Sequence, residues 1–276
     1  MPEGDTIHKQ VPALRHTLLG QPLLRLEGRP GQRLFQAGTC VVQVEAVGKH
    51  CLLHLENDHV VRVHLGMHGR WHRTFHQEQP RGEVRLWLET SQARVVCLQP
   101  RDVEVFPRSQ LSRHPLLSKL GPDLLGPEPD WEEIRKRALR RSPPDRPLGE
   151  VLLDQQIAAG LGNVYKNELC FLGAFEGSQP AWQATRGVSP WSAWQVEGWL
   201  SLFQRGRELM LLNLGGWPRT TTRNAGGDLG RLSPAPRSWV YDRKGKPCLR
   251  CRTSIVGSHQ GLEARATYWC PGCQRI

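Results

Sequence analysis

Acidic residues are scarce in this chain: 26 Asp and Glu stand against 37 Lys and Arg in 276 residues, a formal net charge of +11 and a sequence pI of about 9.7. That imbalance points to a polyanionic partner. Long apolar runs are missing, none approaching the ~18 residues a membrane span needs, so no membrane association is expected. The basic-then-apolar layout of a signal peptide is missing too, since the chain opens Met1-Pro2-Glu3-Gly4-Asp5, and a cytosolic setting is the default. No internal repeat occurs, and the one biased tract is the Gly- and Thr-rich stretch 215–230. A hydrophobic share of 38% with 10 Trp supplies enough apolar surface to exclude wholesale disorder.

The apolar pattern changes period along the chain. Ile7, Val11, Leu14 and Leu18 recur at helical spacing up to Gly20, with Pro12 as a potential kink. From Leu23 to Phe106 alternation takes over at Val42-Val44, Leu53-Leu55, Val61-Val63-Leu65, Val84-Leu86-Leu88 and Val96-Leu98, which predicts a β-sandwich or barrel. Gly121-Pro122 and Gly126-Pro127 punctuate a connector. Asp130 with Glu133 then reads as a capping box for a helix over 131–141, and Ser189-Pro190 as the start of a long helix reaching Leu214. Arg219 to Ile276 carries 11 Lys and Arg against 3 Asp and Glu, a net +8. Most of the excess charge lies in the last fifth of the chain.

That fifth also holds Cys248-x2-Cys251 and Cys270-x2-Cys273, the spacing of a two-knuckle zinc ribbon. Cys40, Cys51, Cys97 and Cys170 read as buried thiols. Elsewhere, removal of Met1 would expose Pro2 as a secondary amine with an α-amino pKa of ~8, able to attack an aldehydic carbon. Glu3 beside it is a ready acid or base. Gly48-Lys49 is a turn between strand patterns, and His64-Leu65-Gly66-Met67-His68-Gly69 frames Met67 between glycines at a strand end. Gly160-Leu161-Gly162-Asn163 precedes a helical stretch, which would aim backbone N–H groups and Asn163 at an anion. Arg265 lies between the cysteine pairs, where a metal-held hairpin would support a phosphate-binding guanidinium.

In this order these motifs, with Leu153-Asp154-Gln155 and Tyr241-Asp242-Arg243-Lys244-Gly245, resemble the formamidopyrimidine-DNA glycosylase and endonuclease VIII family of bifunctional DNA glycosylases. The resemblance implies a multi-domain α+β fold: an N-terminal catalytic β-sandwich with a leading helix (1–108), a connector (109–130), a helix-two-turn-helix domain (131–218), a flexible linker (219–237) and a zinc finger (238–276). It implies Pro2 as the nucleophile at C1′, Glu3 as acid and base, and Lys49 and Arg265 as phosphate-gripping aids to β- and δ-elimination. His64, Asn163 and Lys119 are the further DNA contacts it implies, and Met67 the wedge that fills the hole left by a flipped nucleotide. One structural Zn²⁺ on Cys248, Cys251, Cys270 and Cys273 is expected. So are double-stranded DNA with a damaged base or abasic site as partner, a monomer, and a cytoplasmic location in the bacterial cytosol or nucleoid.

The opening Pro2-Glu3-Gly4-Asp5-Thr6, the Gly121-Pro122-Asp123 segment and the closing Tyr268-Trp269-Cys270-Pro271-Gly272-Cys273 look more like the endonuclease VIII branch, which prefers oxidised pyrimidines. Met67 is closer to the branch that removes 8-oxoguanine, and no purine lid is identifiable in 215–236. Two rival readings are a silent DNA-binding protein of this fold and a zinc-ribbon RNA-binding module. The first leaves a secondary amine beside a carboxylate unused, and the second explains the tail alone.

Overall fold

Helix α1 (Gly4–Leu18) forms where the apolar spacing places it, burying Ile7, Val11, Leu14 and Leu18. It runs through Pro12 unbroken; that residue is exposed, so the carbonyl deprived of its helical donor can be hydrated. The computed structural model describes residues 1–28, 34–35, 37–74, 80–174, 189–193, 196–216, 218–222 and 236–274. The chain divides into two units, Met1–Leu120 and Gly121–Ile276.

In the first unit, strands β1 (Arg25–Glu27), β2 (Val41–Val47), β3 (His50–Leu55), β4 (His59–His64), β5 (Arg70–Thr74), β6 (Val84–Glu89), β7 (Arg94–Leu98) and β8 (Asp102–Pro107) build two four-stranded antiparallel sheets. Their orders are β1-β6-β7-β5 and β2-β3-β4-β8. A sandwich core of Ile7, Leu18, Val44, Leu53, Val61, Val63, Leu86 and Val95 lies between them and α1. In β2 the simple alternation fails: an irregularity between Val41 and Gln43 shifts the register, so Val41 is buried and Val42 is 46% exposed. Strand β3 is buried on both faces. Leu52, Val60 and Phe106 point away from the sandwich and are covered by Leu111 and Leu117 of the 3-10 turns η1 (Arg108–Arg113) and η2 (Leu117–Lys119). Cys51 and Cys97 are buried as expected, whereas Cys40 is only half-buried.

In the second unit, Asp130 accepts the Glu133 N–H at 2.8 Å and caps α2 (Trp131–Arg141). Helices α3 (Leu148–Leu153), α4 (Asn163–Gly173) and α5 (Val196–Leu212) pack with it around Ile134, Leu152, Leu161, Tyr165, Leu202 and Phe203. The expected helix start at Ser189-Pro190 is corrected: α5 runs over Val196–Leu212. The Ser189 hydroxyl accepts the Trp191 N–H, and the Pro190 carbonyl accepts from the Gly149 N–H and the Gln260 amide. The Trp191 bond makes the dipeptide a turn, and the Pro190 carbonyl ties α3 to the tail. Residues 223–235, most of the expected linker, lie outside the described residues. The chain ends in an antiparallel hairpin, β9 (Val256–Gln260) and β10 (Arg265–Trp269), flanked by the cysteine pairs. Among the described residues no helix is long and apolar enough to cross a membrane.

Candidate functional site

In the first unit the chemistry-bearing residues gather at helix and strand ends. Glu3 is fully buried at the N-cap of α1, its N–H donating to Thr6 Oγ1 at 3.3 Å and its carbonyl accepting the Thr6 N–H at 2.9 Å. The half-buried Pro2 precedes it. This fixes the carboxylate where the helix N-terminus favours negative charge. Lys49 is the second residue of the two-residue turn joining β2 to β3, and Gly48, at φ +57°, supplies the left-handed geometry such a turn requires.

His64 ends β4 opposite His50, with ring centroids 4.9 Å apart. Burial, then His64 and Arg62, pushes the His50 imidazole down to about 3. Burial and Lys49 push His64 down to about 4. Both rings are therefore neutral near pH 7. The turn after His64 leaves Met67 59% exposed. A Cβ on Gly69 would lie 2.2 Å from the Leu65 carbonyl oxygen, and one on Gly66, at φ +66°, 2.7 Å from Arg101 Cβ. Both glycines are thus sterically required, and the second contact brings the exposed Arg101 beside the Met67 turn. Sequence reasoning missed Arg101 because its partner lies 35 residues away with no shared pattern. Lys119 is exposed at the end of η2.

In the second unit Gln155 staples the loop before α4. Its amide donates to the Leu153 and Leu161 carbonyls and accepts the Gly160 N–H. Asn163 begins α4, but its Nδ2 donates to the Ala266 carbonyl at 2.8 Å, and its buried Oδ1 has no partner among the described residues. The same carbonyl receives Lys166 Nζ and Asn167 Nδ2, while Asn167 Oδ1 accepts the Tyr268 N–H and Lys166 Nζ reaches Thr267 Oγ1 at 2.6 Å. Helix α4 thereby clamps the strand that begins with Arg265, whose guanidinium pairs with Glu263. Glu168, also on α4 and fully buried, accepts the N–H groups of Trp239, Val240 and Tyr241 and the Thr221 hydroxyl. Burial raises its pKa, and these four donors act against that rise.

Beside this loop lies a cavity of about 560 Å³ whose lining includes Val164, Arg219, Arg237, Tyr241, Arg243 and Lys246. Its cations come from separate parts of the tail, so charge counting located the region but not the concavity. The Sγ atoms of Cys248, Cys251, Cys270 and Cys273 lie within 4.8 Å of one another and could hold a metal ion. Sulfur pairs at 3.9 Å (Cys248 and Cys273) and 3.3 Å (Cys251 and Cys270) bracket the ~3.8 Å that tetrahedral Zn–S bonds of ~2.3 Å would set.

A sequence model of the formamidopyrimidine-DNA glycosylase N-terminal domain matches residues 1–105. The DNA-(apurinic or apyrimidinic site) lyase Nei2 of Mycolicibacterium smegmatis is 37% identical over 276 residues, covering 99% of both chains. The chain belongs to the formamidopyrimidine-DNA glycosylase and endonuclease 8 family. Endonuclease 8 2 of Mycobacterium tuberculosis is another such relative, 34% identical over the full length of both chains.

Solved structures of this glycosylase family share the fold. The Lactococcus lactis formamidopyrimidine-DNA glycosylase bound to DNA containing an AP site has a TM-score of 0.72 at 20% identity, over 99% of this chain and all of that one. The Thermus thermophilus MutM protein has a TM-score of 0.74 at 26% identity, over 99% and 98%. As a glycosylase-family chain, this one places Pro2, Glu3, Lys49, His64, Met67 and Lys119 in its first unit and Asn163, Arg265 and the four cysteines in its second.

Proposed function

We propose that the chain is a bifunctional DNA glycosylase and abasic-site lyase of base excision repair that removes oxidised bases, pyrimidines in preference. The observation that carries this reading is Glu3, a carboxylate buried and fixed at the first turn of α1 directly after Pro2, in a chain related along its whole length to an abasic-site lyase.

After removal of Met1, the neutral Pro2 amine attacks C1′ through its lone pair as the N-glycosidic bond breaks, and its N–H proton passes to the departing base. Glu3 then protonates O4′ as the C1′–O4′ bond opens, and the lone pair that loss of the N–H proton returned to the nitrogen closes the iminium. Loss of a C2′ proton then expels the 3′ phosphate, and a second elimination breaks the C5′–O bond. Lys49, His64 and Lys119 in one unit, and Arg265 in the other, would hold phosphates through these steps. Asn163 would reach a phosphate only by releasing Ala266. Met67 on its exposed turn is a suitable apolar wedge. Zn²⁺ fits the four thiolates and would act structurally.

Borohydride trapping on a duplex with one abasic site tests the reading. A covalent adduct should form with Met1-processed protein, and both adduct and strand scission should vanish when the N-terminus is extended. Tight binding without scission by the processed protein would instead favour a silent damage binder. Excision from duplexes carrying thymine glycol, dihydrouracil or 8-oxoguanine opposite cytosine ranks the lesions, and faster release of 8-oxoguanine would overturn the pyrimidine preference.

A further inference from the structure

The outer face of sheet β2-β3-β4-β8 is apolar at Leu52, Val60 and Phe106, yet it carries a chain of ionic and imidazole groups. Register places His50 opposite His64, and Arg62 opposite Glu104. Arg62, buried, donates Nη1–H to His50 Nδ1 at 3.1 Å, and its Nε and Nη2 both reach Glu104 Oε2, at 3.0 and 2.8 Å. The same oxygen lies 3.1 Å from His114 Nε2. On the other side of that ring, Nδ1 accepts the N–H groups of Leu116 and Leu117, each at 3.2 Å. A neutral His114 therefore carries its proton on Nε2 and donates it to Glu104. Its carbonyl takes the Ser118 N–H and hydroxyl, closing the turn that ends in Lys119.

We propose that Arg62, Glu104 and His114 are positioning residues that hold the η2 turn bearing Lys119 and the His50–His64 strand ends beside Lys49 as one piece, presetting the donors that meet the DNA backbone. This rests on the reading that Lys119 and Lys49 touch phosphate. Stability alone does not call for such a network, because the Glu104 side chain on which it converges is 43% exposed and ion pairs to an exposed carboxylate add little. The groups link two segments, β4 and η2, that are distant in sequence.

The test is a double-mutant cycle read as the salt dependence of binding to a duplex with a non-cleavable abasic analogue. His114→Asn keeps an acceptor near the Nδ1 position for the turn but loses the bond to Glu104. Glu104→Gln weakens the hub with less change of shape and serves if His114→Asn does not fold. Lys119→Met should lower the slope of log K against log salt by ~0.9, the value of one phosphate contact. His114→Asn and Glu104→Gln should lower it at least as far, and each should weaken the Lys119→Met protein by less than it weakens the unsubstituted one, because the Lys119 share of the loss is already gone. A merely destabilising change would leave the slope intact and add in full to the Lys119→Met loss, which would overturn the proposal. An unchanged slope in Lys119→Met itself would instead refute Lys119 as a contact.

Discussion

Acid should destabilise the first unit through two histidines. His50 titrates at about 3 and His64 at about 4 in the folded protein, against ~6.5 for a solvated imidazole. A lowered folded pKa means that the unfolded chain binds the extra protons. The stabilising contribution is thus complete above the unfolded value and is lost as the pH falls from about 6.5 towards the folded values. At pH 5 each histidine withdraws about 2 kcal/mol, RT ln(1 + 10^1.5), and the pair about 4 kcal/mol. That is a large share of the ~5 to 15 kcal/mol that usually holds a protein folded. Urea denaturation followed by tryptophan fluorescence, near pH 7 and near pH 5, measures it, since Trp71 and Trp87 lie in this unit. His50→Asn, which leaves an acceptor for Arg62, should remove about half of the difference. A transition whose free energy is the same at both pH values, or a full difference surviving in the His50→Asn/His64→Asn double variant, would refute the reasoning.

Chelation should release about one metal ion per chain and open the tail hairpin, read as lost DNA binding and as new protease cutting between 248 and 273; a hairpin indifferent to chelator would contradict a structural metal. Gly69→Ala should cost about 1 to 3 kcal/mol in denaturant, because its Cβ meets the Leu65 carbonyl oxygen at 2.2 Å, while Met67→Ala on the exposed turn should cost almost none and act on DNA distortion instead. Glu168→Leu leaves three backbone N–H groups and the Thr221 hydroxyl without their acceptor. At ~1 to 3 kcal/mol for each buried orphan, the second unit should lose most of its stability, visible as a midpoint shift in thermal melting.

What the sequence made legible was local. The α1 spacing, the Gly48-Lys49 turn, the Asp130 cap and the start of α4 each depend on residues within a few positions, and each stands as the pattern required. The failures have tertiary causes. Val42 follows the alternating pattern, but a register shift inverts its side of the sheet. Ser189-Pro190 carries the letters of a helix start, yet the Pro190 carbonyl is claimed by Gly149 of α3 and by Gln260. Strand β5, Arg70–Thr74, is mostly polar and gave no apolar signal, being paired along one edge with β7. Among the proposed site residues, Glu3, Lys49 and Arg265 were singled out by motif letters. Arg101, Lys166, Glu168 and the Arg62–Glu104–His114 chain owe their places to neighbours far along the sequence.

The clamp between α4 and β10 also sets a timetable for synthesis. Asn163, Lys166 and Asn167 meet partners 99 to 103 residues further on, and a ribosome adding ~5 to 20 residues per second needs ~5 to 20 s to deliver them. During that interval the side of α4 destined for the hairpin faces water. Two amides and an ammonium wait there, so the newly made helix stays soluble until the last strand arrives.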